Sequence, residues 1–321
     1  MHPEAREWAD TRTWTTDTIH VDAVAEAKTA SGLRVSVVIP ARDESATIAP
    51  IVHAVRTLTD GPHPVVDEVV VIDSDSTDTT MTVARTAGAT VIASADIRPD
   101  LGTHSGKGEA IWKSLFVTSG DVLVFLDADV TTMTPDYVTR LIAPLVLDPS
   151  IALVKGFYDR DLADASEQRS GQGGRVTELL ARPLIELWWP QLAGVAQPLA
   201  GEWAIRRSLI ETLSIPSGYG VEIAVLLDTF QARGLAAIAQ VDLGQREHRH
   251  QDLLALSSMA TEILSAATTR TPAGVAHTPL DIAHPVRREH GLSWTSRPVN
   301  AVERPPAVSA LAEPTAGSAR R

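Results

Sequence analysis

The chain has 321 residues, enough for one large or two small domains with a sizeable core. Its 44% hydrophobic and 21% charged content are those of a globular protein, and a net charge of -12 argues against a general nucleic-acid binder, which presents a basic face. The absence of cysteine excludes disulfides, thiolate catalysis and zinc-cysteine sites. The opening residues, Met1 to Glu7, are polar and lack the apolar core of a signal peptide. No apolar run approaches the roughly 18 residues that cross a bilayer. The expectation is a cytoplasmic protein without a membrane partner.

Residues 1–33 read as a helical, partly ordered lead-in with two tryptophans, Trp8 and Trp14. Val35 to Pro40 is a short β-branched run closed by proline, which predicts a buried strand ending in a loop. Helical spacing follows at Ile48, Ile51, Val52, Val55 and Leu58. Glu68 to Asp73 predicts a second buried strand, then a helix around Met81 to Ala84 and a short strand at 89–93. A helix near 106–118 leads to a third strong strand, Val122 to Asp127. Strands alternating with helices imply βαβ units, a mostly parallel sheet and helices on both faces.

From about residue 150 the pattern changes. Residues 151–158 read as a strand, 159–174 as a polar glycine-rich loop, and a helix interrupted by Pro183 runs to Trp188, Trp189 and Pro190. A helix at 219–233 ends at Gly234, a strand follows at 235–243 and a helix at 252–265. Beyond about 292 the chain is rich in Pro, Ala, Ser and Arg without periodicity, and is expected to be a disordered tail.

Open parallel sheets bind ligands beyond the C-terminal ends of their strands. Here the first strand is followed by Pro40-Ala41-Arg42-Asp43-Glu44-Ser45, the second by Asp73-Ser74-Asp75-Ser76-Thr77-Asp78, and the third by Asp127-Ala128-Asp129. Any one cluster could instead cap a helix, as Ser76 or Asp78 would, though a site is the favoured reading. Three in succession point to a site. Asp127 and Asp129, two apart in extended backbone, share a face and suit a hard divalent cation beside a ribose or pyrophosphate. Such a cation stabilises the charge that builds on a departing nucleoside diphosphate.

Gly106-Lys107-Gly108 precedes a helix and reads either as a phosphate loop with an added ammonium or as a plain turn. It is not a Walker A loop, and no G-x-G-x-x-G follows the first strand. Gly171 to Thr177 opens another helix, as an anion site or as a flexible linker. Arg246-Glu247-His248-Arg249-His250 offers an imidazole for a metal and arginines for phosphates, or is a solvated basic loop. Glu222 lies among apolar residues and faces either a pocket or solvent.

The runs at 38–44, 72–76, 106–110 and 126–129 resemble glycosyltransferases of the GT-A fold. The second half narrows the likeness. Gly173 to Leu179, Gln197 to Glu202, Gly218 to Glu222 and Gln240 to Gly244 resemble the glucosyl-3-phosphoglycerate synthase family, and the likeness covers roughly residues 30–265. The resemblance implies an α/β, Rossmann-like nucleotide-binding sheet with a C-terminal acceptor region. It implies retaining transfer of glucose from a nucleoside diphosphate glucose, usually UDP-glucose, to D-3-phosphoglycerate, with Mg²⁺ or Mn²⁺, by a homodimer.

By matching motif it implies that Pro40, Ala41, Glu44, Ser74 and Lys107 hold the donor, with Asp127 and Arg246 at the diphosphate. Asp129 and His248 would bind the metal. Gly174, Arg175, Thr177 and His250 would take the acceptor, Glu222 would contact the glucose near the reacting carbon, and Glu222, Lys107 and Asp127, which supports the metal, would form the catalytic set. The organisation expected is 1–33 lead-in, 34–150 nucleotide-sugar-binding domain, 151–291 acceptor-binding region and 292–321 tail. Asp43 and His250 depart from the family's pattern, in which asparagine is common at the first position and occurs at the second. The alternatives are a transferase with another acceptor, such as a polyprenyl phosphate, and a nucleotide-sugar sensor without turnover.

Overall fold

A computed structural model of the chain describes residues 2–15, 19–60, 63–130, 132–161, 174–247, 253–271, 281–288, 291–298, 300 and 302–311. The elements begin with α1 (Pro3–Arg12), β1 (Thr13–Trp14), α2 (Val21–Ser31), β2 (Val35–Ala41), α3 (Ile48–Arg56), β3 (Glu68–Asp73), α4 (Thr80–Thr86) and β4 (Thr90–Ala93). Next come α5 (Lys107–Ser114), β5 (Val122–Phe125), α6 (Asp136–Leu147), β6 (Leu153–Asp161), α7 (Arg182–Trp188), β7 (Trp203–Arg206), α8 (Arg207–Ile210) and β8 (Ile215–Pro216). The chain continues through α9 (Val221–Arg233), β9 (Ile238–Glu247), α10 (Leu253–Thr268), β10 (Asp281–Arg288), β11 (Gly291–Pro298), β12 (Glu303–Arg304) and α11 (Ala307–Leu311).

Eight strands form one sheet in the order β1-β9-β6-β7-β5-β2-β3-β4. Strands β2, β3 and β5 are buried on both faces, which is why each reads as a largely apolar run without alternation. Val35, Val37 and Ile39 enter one core with Val52 of α3 and Leu141 of α6, while Val38 enters the other with Trp112 of α5 and Ile223 of α9. The expected sheet with helices on both faces is therefore present.

The sheet departs from expectation at β7, which runs antiparallel to both β5 and β6. This four-residue strand follows the Gln197–Gly201 turn and carries no periodicity long enough to read. The lead-in is tied down more firmly than expected: β1 pairs with β9, and the indole of Trp8 donates to Ile238 O at 2.8 Å. The interruption expected at Pro183 is a π-helical turn (Thr177–Ala181) inside a helical stretch that runs from Arg175 to Trp188, with the proline in the first turn of α7.

Among the described residues of the stretch expected to be a disordered tail, β11, β12 and α11 are regular elements. β11 pairs with β10, β12 pairs with β8, and Arg304 is buried. β12 gains its order from pairing with the distant β8, which leaves no local period in the sequence, whereas β11 pairs antiparallel with its chain neighbour β10. Residues 312–321 lie outside the described residues.

Candidate active site

The first half of the site stands where β2 and β3 end. Pro40 and Ala41 pair in register with Ile72 and Asp73, and Ser74 N donates to Ala41 O at 2.9 Å. Glu44 N donates to Thr80 Oγ1 at 2.8 Å, and its carboxylate accepts from Thr47 Oγ1 at 2.9 Å. Asp43 adopts a left-handed φ of 54°, and its Oδ1 accepts from Thr77 N at 2.7 Å and Thr77 Oγ1 at 3.1 Å. Its acid therefore holds the loop after β3, a task an asparagine oxygen performs equally well. Asp78 is likewise structural: bonds from Thr80 and Ser45 hold its carboxyl far below the usual carboxylate range.

Asp73 was not singled out from the sequence as a donor residue. It is buried, its Oδ2 accepts from Ser76 N at 3.1 Å, and its Oδ1 has no hydrogen-bond partner among the described residues. A buried acceptor left open at a strand end is the kind of group that a ligand N–H satisfies.

The centre of the site is Lys107, in the first turn of α5. Its Nζ lies 2.5 Å from Asp127 Oδ1 and 2.6 Å from Glu222 Oε1. Burial alone would lower the pKa of this ammonium, but the two carboxylates outweigh it and hold the group charged, well above the ordinary lysine value. Glu222 is 5% exposed in the first turn of α9, where a helix N-terminus favours a carboxylate. The choice the sequence left open is thus decided toward Lys107 rather than solvent.

The glycines beside Lys107, read from the sequence as a phosphate loop or as a plain turn, make room for a neighbouring loop. Gly108 N donates to Gly218 O at 3.3 Å and Glu109 N to Ser217 O at 2.8 Å, so these N–H groups are spent within the protein. A Cβ at Gly108 would lie 1.8 Å from Pro216 O, and one at Gly106, where φ is 129°, would lie 2.4 Å from Ser217 O. The glycines let the 215–218 backbone lie against the start of α5, and the lysine alone faces the site.

That loop carries Tyr219, a half-exposed residue that sequence reasoning missed. Burial of its hydroxyl end raises its pKa, and it feels the charges of Lys107, Glu262, Asp127 and Glu222. Glu262 of α10 holds the loop by accepting from Tyr219 N at 2.7 Å and from Asn300 N at 3.1 Å.

Asp127 and Asp129 are both half-buried just beyond β5. Their oxygens suit a hard cation such as Mg²⁺ or Mn²⁺ better than zinc. Among the described residues no three Asp, Glu or His side chains converge on one point. His248 and His250, with Gly171 to Gly173, lie outside the described residues. Arg246 lies in β9 opposite Arg160. Gly174 and Arg175 lead into the π-helical turn, and Thr177, buried, begins it.

A nucleotide-binding sheet ending in acidic loops, with a lysine held between two carboxylates, defines a glycosyltransferase of the GT-A type. The glycosyl transferase family 2 model matches residues 36–213. The glucosyl-3-phosphoglycerate synthase of Mycobacterium tuberculosis is 42% identical over 284 residues, 86% of each chain. A crystal structure of that organism's glucosyl-3-phosphoglycerate synthase, in complex with Mn²⁺ and UDP-glucose, superposes with a TM-score of 0.82 at 38% identity, covering 93% of this chain and 98% of the other. Mannosyl-3-phosphoglycerate synthase from Rubrobacter xylanophilus superposes with a TM-score of 0.86 at 34% identity, covering 95% and 99%. The chain belongs to the glucosyl-3-phosphoglycerate synthase family.

Proposed function

We propose that this enzyme transfers glucose from UDP-glucose to D-3-phosphoglycerate with retention, giving glucosyl-3-phosphoglycerate. The observation that carries the reading is the Asp127–Lys107–Glu222 cluster beside the strand-end residues Ala41, Asp73 and Ser74. The Mycobacterium tuberculosis relative, named for this reaction and seen with UDP-glucose and Mn²⁺, supports the choice of substrates.

Pro40, Ala41, Glu44 and Ser74 hold the nucleoside, and the open Oδ1 of Asp73 accepts from the base. Lys107 and Arg246 meet the diphosphate, and Asp127 and Glu222 keep Lys107 charged and aimed. Asp129 and His248, with Asp127 in support, would hold Mg²⁺ or Mn²⁺, which supplies charge stabilisation to the departing UDP. Gly174, Arg175, Thr177 and His250 take the phosphoglycerate. Its hydroxyl attacks from the face the UDP leaves, and its proton passes to the departing phosphate oxygen. Glu222, already ion-paired with Lys107, forms no covalent intermediate in this scheme.

The exposed apolar side chains Leu179, Leu187, Trp188 and Leu253 support a homodimer, which light scattering tests. Among the described residues no helix is long and apolar enough to cross a membrane. The proposed address is cytoplasmic.

The test is UDP release from UDP-glucose with and without D-3-phosphoglycerate in Mg²⁺, with the product weighed by mass spectrometry. Acceptor-dependent release and a hexosyl-phosphoglycerate mass are expected. Turnover with GDP-mannose alone would move the donor sugar from glucose to mannose. Tight UDP-glucose binding without turnover would favour another acceptor or a sensor.

A further inference from the structure

The one antiparallel strand of the main sheet has a consequence for the site. Because β7 runs antiparallel to β5, its leading residues arrive at the edge where β5 ends, beside Lys155 of β6. Gly201, two residues ahead of β7, reaches Asp127 there. A Cβ on Gly201 would lie 2.2 Å from Asp127 Oδ2 and 2.4 Å from Oδ1, so the backbone of Gly201 backs directly onto the carboxylate. Asp127 is thus held between this backbone and the ammonium of Lys107.

Strand β6 fastens the turn that carries Gly201. Lys155 is 1% exposed, and its Nζ donates to Ala200 O at 2.7 Å, the carbonyl of the peptide that enters Gly201. At the other end of the turn Gln197 Nε2 donates to Tyr158 O at 2.6 Å, and Ala200 N donates to Gln197 O at 3.1 Å. Among the described residues Ala200 O is the only hydrogen-bond acceptor of Lys155. A buried ammonium is a costly way to satisfy one carbonyl. It stands, however, in the field of three carboxylates, Glu222, Glu202 and Asp127, against the single like charge of Lys107. A second cation offsets that excess of acid while its hydrogen bond fixes the peptide.

We infer that Lys155 is a positioning residue for Asp127: it locks the Ala200–Gly201 peptide behind the carboxylate and so sets the carboxylate, with Lys107, for the nucleotide-sugar donor. This rests on the reading that Asp127 and Lys107 face the donor diphosphate. Lys155 itself touches no substrate in this assignment.

The test compares wild type, Lys155→Met, Lys155→Arg, Gly201→Ala and the Lys155→Met/Gly201→Ala pair. Donor and acceptor KM, kcat, and UDP affinity in Mn²⁺ by calorimetry are measured for each. Lys155→Met should keep a cooperative melt, raise the UDP-glucose KM and weaken UDP by about tenfold or more, and leave the acceptor KM within about twofold. Lys155→Arg should recover part of the loss. Gly201→Ala should show the same donor defect, and adding Lys155→Met to it should change the donor KM by less than about twofold, since both act through one peptide. Should Lys155→Met fail to fold, Gln197→Leu, which loosens the other end of the turn, should show the donor defect instead. An unchanged donor KM in the folded variants, or effects that multiply in the pair, overturns the inference. If wild type ignores D-3-phosphoglycerate but the variants still weaken UDP, the acceptor reading falls and the inference stands. A wild type that binds no UDP overturns both.

Discussion

Arg304 donates to both carboxylate oxygens of Glu109, at 2.8 and 2.7 Å, across 195 positions of the chain. Both residues are buried, and the guanidinium also caps Leu101 O and Gly102 O and lies 4.6 Å over the ring of Trp112. The carboxylate belongs to the first turn of α5, two residues beyond Lys107. Breaking one side of such a pair leaves a buried charge uncompensated, at a cost of about 3–5 kcal/mol. Arg304→Ala should therefore lower the urea midpoint sharply and reduce turnover with it. The pair Arg304→Met/Glu109→Met should recover much of the stability, because it removes both charges. A single variant as stable as wild type would show that the folded tail does not brace the site.

Lys107 is the second point of attack. Lys107→Met leaves Asp127 and Glu222 without the cation they share. Loss of a charge aimed at a developing anion typically costs about 10²–10³ in kcat. The expected result is a loss of that size, with Lys107→Arg recovering only part because a planar fork does not reproduce a point charge between two carboxylates. Retention of more than about a tenth of wild-type kcat in Lys107→Met would remove the residue from the donor chemistry.

Two glycines separate close approach from backbone conformation. At Gly108 a methyl group would meet Pro216 O at 1.8 Å, and the obstacle is backbone. At Gly234 φ is 78° and nothing lies within 4 Å, so alanine there meets strain but no clash. Gly234→Ala should cost about 1–3 kcal/mol, because φ 78° with ψ 172° lies in a region essentially confined to glycine. Gly108→Ala should cost more than about 3 kcal/mol, or abolish soluble expression, since the well-packed loop cannot retreat without releasing Tyr219. Equal melting temperatures for the two variants would contradict the packing described at α5.

The part of the site that was legible in the sequence is the part built by long, doubly buried strands. Val35 to Ala41, Glu68 to Asp73 and Val122 to Phe125 are apolar because both faces are covered, and the residues that follow them fall at the ligand edge by topology alone. What stayed hidden depends on distant partners. Strand β7 is four residues long, and its direction is set by β5 and β6 on either side. Arg304 is ordered by Glu109, and Gly106 and Gly108 are explained only once the 215–218 loop is in place. Lys155 is an intermediate case. A lysine inside the buried run Leu153 to Tyr158 breaks the apolar pattern, and that interruption was the available signal.

Lys155 also gives the fold a pH dependence of definite sign. Burial, opposed by Glu222, Glu202 and Asp127 and reinforced by Lys107, brings its pKa down to about 8, below the ordinary lysine value of 10.5. Between those values the unfolded chain binds more protons at this position than the folded one, so its contribution to stability rises with pH. The charged-state penalty is fully present below about pH 8 and is relieved as pH approaches about 10, an effect on the order of 3 kcal/mol. Other groups titrate in the same range, so the quantity to measure is the difference between wild type and Lys155→Met, which lacks this group. Urea denaturation of both at several pH values should show wild type gaining on the variant steadily between about pH 8 and 10, and a parallel pair of curves below about pH 7. A constant difference across the whole range would mean that Lys155 titrates as a solvated lysine, and that its ammonium is not held in the buried field of the active-site carboxylates.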